Sequence, residues 1–268
     1  MLNSIFAKTI WDRRISIGWW TLGMVALAGL TVAFYPSIRN DAESFESLFD
    51  SFPPELLSIF GIEDAASLVT ATGLVNSRLY SGIGPVILAV LGIGIGTAAI
   101  AGEEEDGTLD LLLSQPVTRT QLVVEKSAAA AVLIGIVMIA LFLTLSILNP
   151  LVDLDFTFWG ILSANVALGL FAVSFFSLAM AVGGLTGNRG LTVGVSAGTV
   201  ATLFFVNGLA PLVDEIAWLQ KLTPFYWLQE PNPLANGLDF VATIIFLLAI
   251  GLLLAVTIWG FNRRDVSV

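Results

Sequence analysis

The residues most suggestive of chemistry are Gly194-Val195-Ser196-Ala197-Gly198, which fit G-x-S-x-G, the turn that presents a nucleophilic serine in many hydrolases. A serine hydroxyl attacks only when a neighbouring base takes its proton. Histidine is the usual base, and the 268 residues contain none. The three lysines, Lys8, Lys126 and Lys221, lie outside the apolar stretch that holds Ser196. Ser196 is therefore an unactivated hydroxyl. With cysteine also absent, thiol chemistry, disulfide frameworks, histidine-paired nucleophiles and the HExxH zinc site all drop out. A nucleotide-binding P-loop needs Gly-Lys-Ser/Thr, but the lysines follow Ala7, Glu125 and Gln220. No catalytic, cofactor or metal site is expected in this chain.

The chemistry that remains is charge, and it is concentrated at residues 102–126, GEEEDGTLDLLLSQPVTRTQLVVEK. Glu103, Glu104, Glu105 and Asp106 stand in a row directly after an apolar run. Gly107 weakens a helix and lets another backbone approach. Leu109, Leu111, Leu112 and Leu113 give a short helix an apolar docking surface. Pro116 forces a turn. Thr118 followed by Gln121 fits a capping box, the start of another helix. The expected unit is a helix–turn–helix joined stiffly to the apolar segments on either side. The bland alternative is a solvated loop, but such loops do not carry a leucine cluster between helix signals.

The elements that position this island are lipid-soluble. Hydrophobic residues make up 56% of the chain and charged residues 12%, about half the share of a soluble domain. Six segments reach the ~20 apolar residues of a bilayer crossing: 15–35, 83–101, 128–148, 159–182, 191–212 and 240–259. The fold class is thus an all-α integral membrane protein of one domain. Residues 1–14 are amphipathic, with Leu2, Ile5, Phe6, Ile10 and Trp11 at helical spacing, and predict an interfacial helix. Ala26-Leu27-Ala28 resembles a signal-peptide cleavage site. The apolar run continues through Phe34, too long for a signal, and predicts a retained span.

If the N-terminus faces the cytoplasm, the inner side holds eight basic residues (Lys8, Arg13, Arg14, Arg119, Lys126, Arg189, Arg263, Arg264) and the outer side three (Arg39, Arg78, Lys221). N-in and C-in is therefore the expected topology, with the island cytoplasmic. The outer connection after the first span is acidic, and Pro53-Pro54 suits a helix start with Leu56, Leu57, Ile59 and Phe60 as its apolar face. The connection before the last span is aromatic and suits a re-entrant or interfacial element. The acidic connections, with three lysines against eight arginines, suit a protein that works in high salt. The net charge of −10 argues against nucleic-acid binding.

Two small-residue pairs, Gly92 with Gly96 and Gly194 with Gly198, have GxxxG spacing and are candidates for close helix packing, within the chain or between subunits. None of the expected span cores contains Asp, Glu, Lys or Arg, which argues against proton- or ion-driven transport. Asn165 and Asn207 are the strongest polar groups within spans and suit bonds between neighbouring helices. Any work the protein does draws on energy from outside the membrane.

Residues 102–126 resemble the permease subunits of type-2 ATP-binding-cassette (ABC) exporters. There the loop after the second span typically reads E-x-x-x-G-T-L-x-x-L-L-x-x-P-v-s-R, with a lysine seven residues on. Glu103, Gly107, Thr108, Leu109, Leu112, Leu113, Pro116, Val117, Thr118, Arg119 and Lys126 occupy those places, Thr118 replacing the usual serine. A weaker likeness is Leu222-Thr223-Pro224-Phe225-Tyr226 with Asn232-Pro233-Leu234 and Gly237. The resemblance implies a six-span permease with an N-terminal interfacial helix. Its partners would be a second permease copy, a separate ATP-binding subunit carrying ATP and magnesium, and membrane lipids. It implies that the island, with Glu104 and Glu105 among its acids, is the coupling helix seated on the ATPase. The cargo would be a lipid, drug or other hydrophobic solute. Some relatives of this architecture are thought to transmit force without passing a solute, which is the rival reading.

Overall fold

The computed structural model describes residues 4–49, 52, 68–114 and 116–264, with six helices long and apolar enough to cross a membrane. Helix α1 is Ile5–Asn40. Ser4 caps it, its hydroxyl accepting from the Ala7 amide at 3.1 Å. The amphipathic start and the first span are one unbroken helix rather than a separate interfacial helix and a span. Nothing between Lys8 and Ile17 breaks a helix, so no joint forms there. Its 36 residues extend about 54 Å, well beyond a hydrocarbon core of about 30 Å, so its ends project. Pro36 lies inside it, so the helix runs past the expected span end at residue 35. Proline removes one backbone bond, but Tyr35 and Ile38 are buried on either side and hold the last turn in place.

Helix α2 is Ala42–Phe49. The expected helix start at Pro53-Pro54 and its face of Leu56, Leu57, Ile59 and Phe60 lie outside the described residues. Helix α3, Ala71–Glu105, is much longer than its apolar core predicts and contains two π turns, Asn76–Ser81 and Ala98–Gly102. Thr70 caps its start. Leu74, Val75, Leu79 and Tyr80 are buried, which extends the helix through the polar residues Asn76 to Arg78.

Helix α4 is Leu109–Leu113, α5 Arg119–Leu148, α6 Phe158–Thr186 and α7 Arg189–Leu209. Two short helices follow, α8 Pro224–Gln229 and α9 Pro233–Asn236, and the last span is α10, Phe240–Arg263. Helix α6 is the centre of the bundle and packs on α3, α10, α5 and α7. Its approach to α3 is backbone to backbone: a Cβ on Gly92 would run into the Ala172 carbonyl, and one on Gly96 into the Phe176 carbonyl.

The aromatic connection folds back into the bundle. Phe225 is fully buried, with its ring 5.0 Å from Phe171 and 5.5 Å from Phe204. The Leu234 carbonyl sits where Gly160 leaves room for it. Polar side chains tie the connection to the neighbouring helices. The Thr223 hydroxyl donates to the Asn207 side-chain oxygen at 2.8 Å, Asn207 donates to Gln229 at 2.9 Å, and Gln229 donates to the Ser81 carbonyl at 2.8 Å. Asn165 donates to the Tyr80 hydroxyl at 3.0 Å. The two asparagines therefore bond neighbouring elements.

Candidate functional site: the charged hairpin

Residues 102–126 form a hairpin between α3 and α5, on the face where the start of α1 and the end of α10 also lie. Its first turn is a helix end closed by a left-handed glycine. Gly107 has φ +67°, its amide donates to the Glu104 carbonyl at 3.1 Å, and the Thr108 amide donates to the Glu103 carbonyl at 2.9 Å. This paired pattern is the usual glycine stop of an α-helix. Gly107 is thus required by its backbone angle, since a Cβ there would meet nothing within 4 Å. Helix α5 opens on Thr118, whose hydroxyl accepts from the Gln121 amide at 3.1 Å. Only that half of the capping box forms, because the Gln121 amide group instead donates to Glu125 at 2.8 Å.

Successive residues on a helix point about 100° apart, so four acids in one turn face four directions. Together they reach bases on several parts of the bundle, the last two sharing one. Glu103 pairs with Lys126 of α5 at 2.7 Å and lies 3.9 Å from Lys8 of α1. The Thr108 hydroxyl also donates to the Glu103 carboxylate. Glu104 accepts both guanidinium arms of Arg264, just past α10, one of them at 2.8 Å. Glu105 and Asp106 lie 3.9 and 3.8 Å from Arg189, the first residue of α7. The first two pairs are shielded: Lys126 is 3% exposed and Glu104 9%.

The second arm adds two ties. Arg119 donates to the carbonyls of Phe261 and Arg264, the latter at 2.6 Å. Glu125 accepts the Phe6 amide of α1 at 3.0 Å. Between the arms, Gly187 ends α6 with φ +65°, and a Cβ there would strike both Arg264 and Glu104. The turn between α6 and α7 thus lies under the Glu104–Arg264 pair. Among the spanning helices, α1, α3, α5, α7 and α10 are bonded to the hairpin directly, and α6 is held at its end.

The leucines divide. Leu109 is buried at 1% exposure, Leu112 is half-buried, and Leu111 is exposed at 69%. Among the described residues the apolar side chain that the short helix presents outward is Leu111, flanked by exposed Asp110, Ser114 and Pro116, whereas Leu109 holds the hairpin to the bundle; the Leu113 side chain lies outside the described residues. Gly92 and Gly96 lie deep in the α3–α6 contact. Gly194 and Gly198 have nothing within 4 Å of an added Cβ, so their face of α7 is open. Ser196 is fully buried with no hydrogen-bond partner among the described residues.

Sequence reasoning misses Arg264, Arg189, Phe6 and Gly187 as parts of this site. Glu104 and Arg264 are 160 residues apart, and the only signal in the sequence is that both bases, Arg189 and Arg264, fall on the side predicted for the island. A family model described as ABC-2 family transporter protein matches residues 4–266. No curated protein matches the chain.

Proposed function

The chain belongs to the ABC-2 transporter family and is a multi-pass membrane protein; on that premise we propose that it is the permease subunit of an ABC exporter, driven through residues 102–126 by a separate ATPase subunit. ATP and magnesium sit on that subunit, which grips the outward side of α4 at Leu111. The N- and C-termini face the cytoplasm, and a second permease copy completes the pathway. Spans without charged cores suit a lipid, drug or other hydrophobic solute as cargo.

One observation carries this reading: four consecutive acids tie the hairpin to α5 and α1 through Glu103, to the end of α10 through Glu104, and to α7 through Glu105 and Asp106. A push on an ordinary loop moves the loop. A push on this hairpin is delivered to α1, α5, α7 and α10 together, because their ends are bonded to it. The glycine-closed turn at Gly107 and the cap at Thr118 keep it stiff enough to carry force.

The test is solute movement and ATP hydrolysis by the reconstituted permease–ATPase complex. Glu104→Gln with Arg119→Gln cuts the ties to α10 and leaves Leu111 in place. Hydrolysis should continue while solute moved per ATP falls about tenfold, the size of a typical coupling between sites. Leu111→Asp should instead lower permease-stimulated hydrolysis, because the docking surface is lost. Unchanged transport per ATP in the first variant would sink the proposal. A complex that hydrolyses ATP normally yet moves no lipid or drug would favour the force-transmitting alternative.

A further inference from the structure

Beside the hairpin lies a cavity of about 290 Å³, walled by the first turns of α1, the π turn of α3, Lys126 and the start of α7. Its apolar wall, the floor, is Ile95, Ala98 and Ala99. Its rim is charged, with Lys8, Lys126 and Arg189 opposite Asp12, Glu103 and Asp106. Those rim charges satisfy one another. Lys126 and Lys8 face Glu103, Lys8 lies 3.6 Å from Asp12, and Arg189 lies 3.8 Å from Asp106.

Arg13 is the remaining cation. It lines the same cavity, is half-buried, and makes no ion pair or hydrogen bond among the described residues. Burial and the like charge of Arg189 weigh against its charged form, while Glu103 and Asp12 favour it without contact. A half-buried guanidinium without a contact ion pair is costly, and an anion in the cavity would reach both Arg13 and Arg189, the latter with its acids Glu105 and Asp106 standing 3.9 and 3.8 Å away. The planar donor forks of arginine match phosphate oxygens.

The position selects the kind of phosphate. Ile15 and Trp19, one and two turns along α1 from Trp11, are exposed and apolar, so this end of the helix enters the bilayer. Arg13 therefore stands at the boundary between lipid and water. A cavity near 300 Å³ is at the lower limit for ligand sites, and it suits a headgroup with its chains outside. Basic pockets between spanning helices at a membrane face commonly hold anionic headgroups. We propose that this cavity binds the phosphate headgroup of an anionic membrane phospholipid, with Arg13 and Arg189 as its phosphate ligands and Ala98 and Ala99 as its floor. The lipid would fasten α1 to α3 and α7 next to the hairpin, as a fixed component distinct from any transported solute.

The probe is phosphatidylglycerol, compared with phosphatidylcholine of the same chains and with inorganic phosphate. Retention on the full-length chain in a non-ionic detergent is read by native mass spectrometry. The wild type should hold phosphatidylglycerol about tenfold more strongly than phosphatidylcholine. Arg13→Gln should bring the two within about twofold. Ala98→Leu, which fills the floor without changing charge, should do the same. Arg14→Gln should retain the preference, because Arg14 lies over the Trp11 ring at 4.0 Å, outside the cavity lining. If Arg13→Gln fails to fold, the wild type and Ala98→Leu decide the matter. Equal retention of both lipids by the wild type would overturn the proposal. So would a preference that survives Ala98→Leu, or displacement of the lipid by millimolar inorganic phosphate. The last result would identify a free-anion site.

Discussion

Glu103 and Lys126 form the most enclosed ion pair on the hairpin, and its two ends are not equally replaceable. Lys126 is 3% exposed, whereas Glu103 is 17% exposed and has Thr108 and Lys8 as further partners. Removing one member of a buried pair leaves a charge without compensation, which typically costs more than the pair contributes. Lys126→Met should therefore destabilise the protein by about 3 kcal/mol. The double variant Glu103→Leu, Lys126→Met should recover most of that loss, since Lys8 is exposed enough to return to water. Thermal unfolding of the two variants in one detergent checks this. A double variant no more stable than the single would show that Glu103 has enough other partners without Lys126. Gly187 gives a second residue-level expectation. Gly187→Ala forces a left-handed angle on alanine, costing about 1–2 kcal/mol, and drives a methyl group into the Glu104–Arg264 pair. Gly251→Ala, in open space within α10, should be neutral or stabilising by up to about 1 kcal/mol.

At the scale of elements, the two GxxxG pairs look the same in sequence and differ in place. Gly92 and Gly96 let α3 and α6 touch through their backbones, so leucine at both should prevent the fold or cost at least about 3 kcal/mol. Leucine at both Gly194 and Gly198 should leave the melting temperature of the chain unchanged. If the second copy docks on that open face of α7, the same variant should run as a monomer on size exclusion. A dimer that persists would remove α7 from the interface. This contrast marks where sequence stops being informative. The spans are legible because about twenty apolar residues in a row have few other fates. The hairpin is legible because its glycine, proline and threonine are local signals for a stop, a turn and a cap. Which face of a helix meets which neighbour is a long-range matter. The same holds for α3, whose start at Ala71 depends on burial of Leu79 and Tyr80 rather than on its polar local composition, and for Arg264, whose role appears only once α10 is placed beside α3.

The whole molecule separates its charges along the membrane normal. On the hairpin face acids and bases are interleaved and mostly paired. On the opposite face Asp41, Glu43, Asp153, Asp155, Asp214, Glu215, Glu230 and Asp239 outnumber Arg39, Arg78 and Lys221 among the described residues. Salt should act on these two faces unequally. The screening length falls from about 10 Å at 0.1 M to about 3 Å at 1 M, which weakens repulsion among separated acids. It does little to Glu103–Lys126 at 2.7 Å or to Glu104–Arg264, since both pairs are in contact and shielded from water. The acidic face should therefore set the sign: raising potassium chloride from 0.1 M to 2 M should raise the melting temperature. Were the ion pairs of the hairpin face the dominant electrostatic contribution, salt would lower it instead. Neutralising the acidic face with Asp153→Asn, Asp155→Asn, Asp214→Asn and Glu215→Gln should flatten the dependence, whereas Glu105→Gln with Asp106→Asn should leave it nearly intact. A wild-type melting temperature indifferent to salt would mean that repulsion on the acidic face does not limit stability, and that the acids there serve the medium they face rather than the fold.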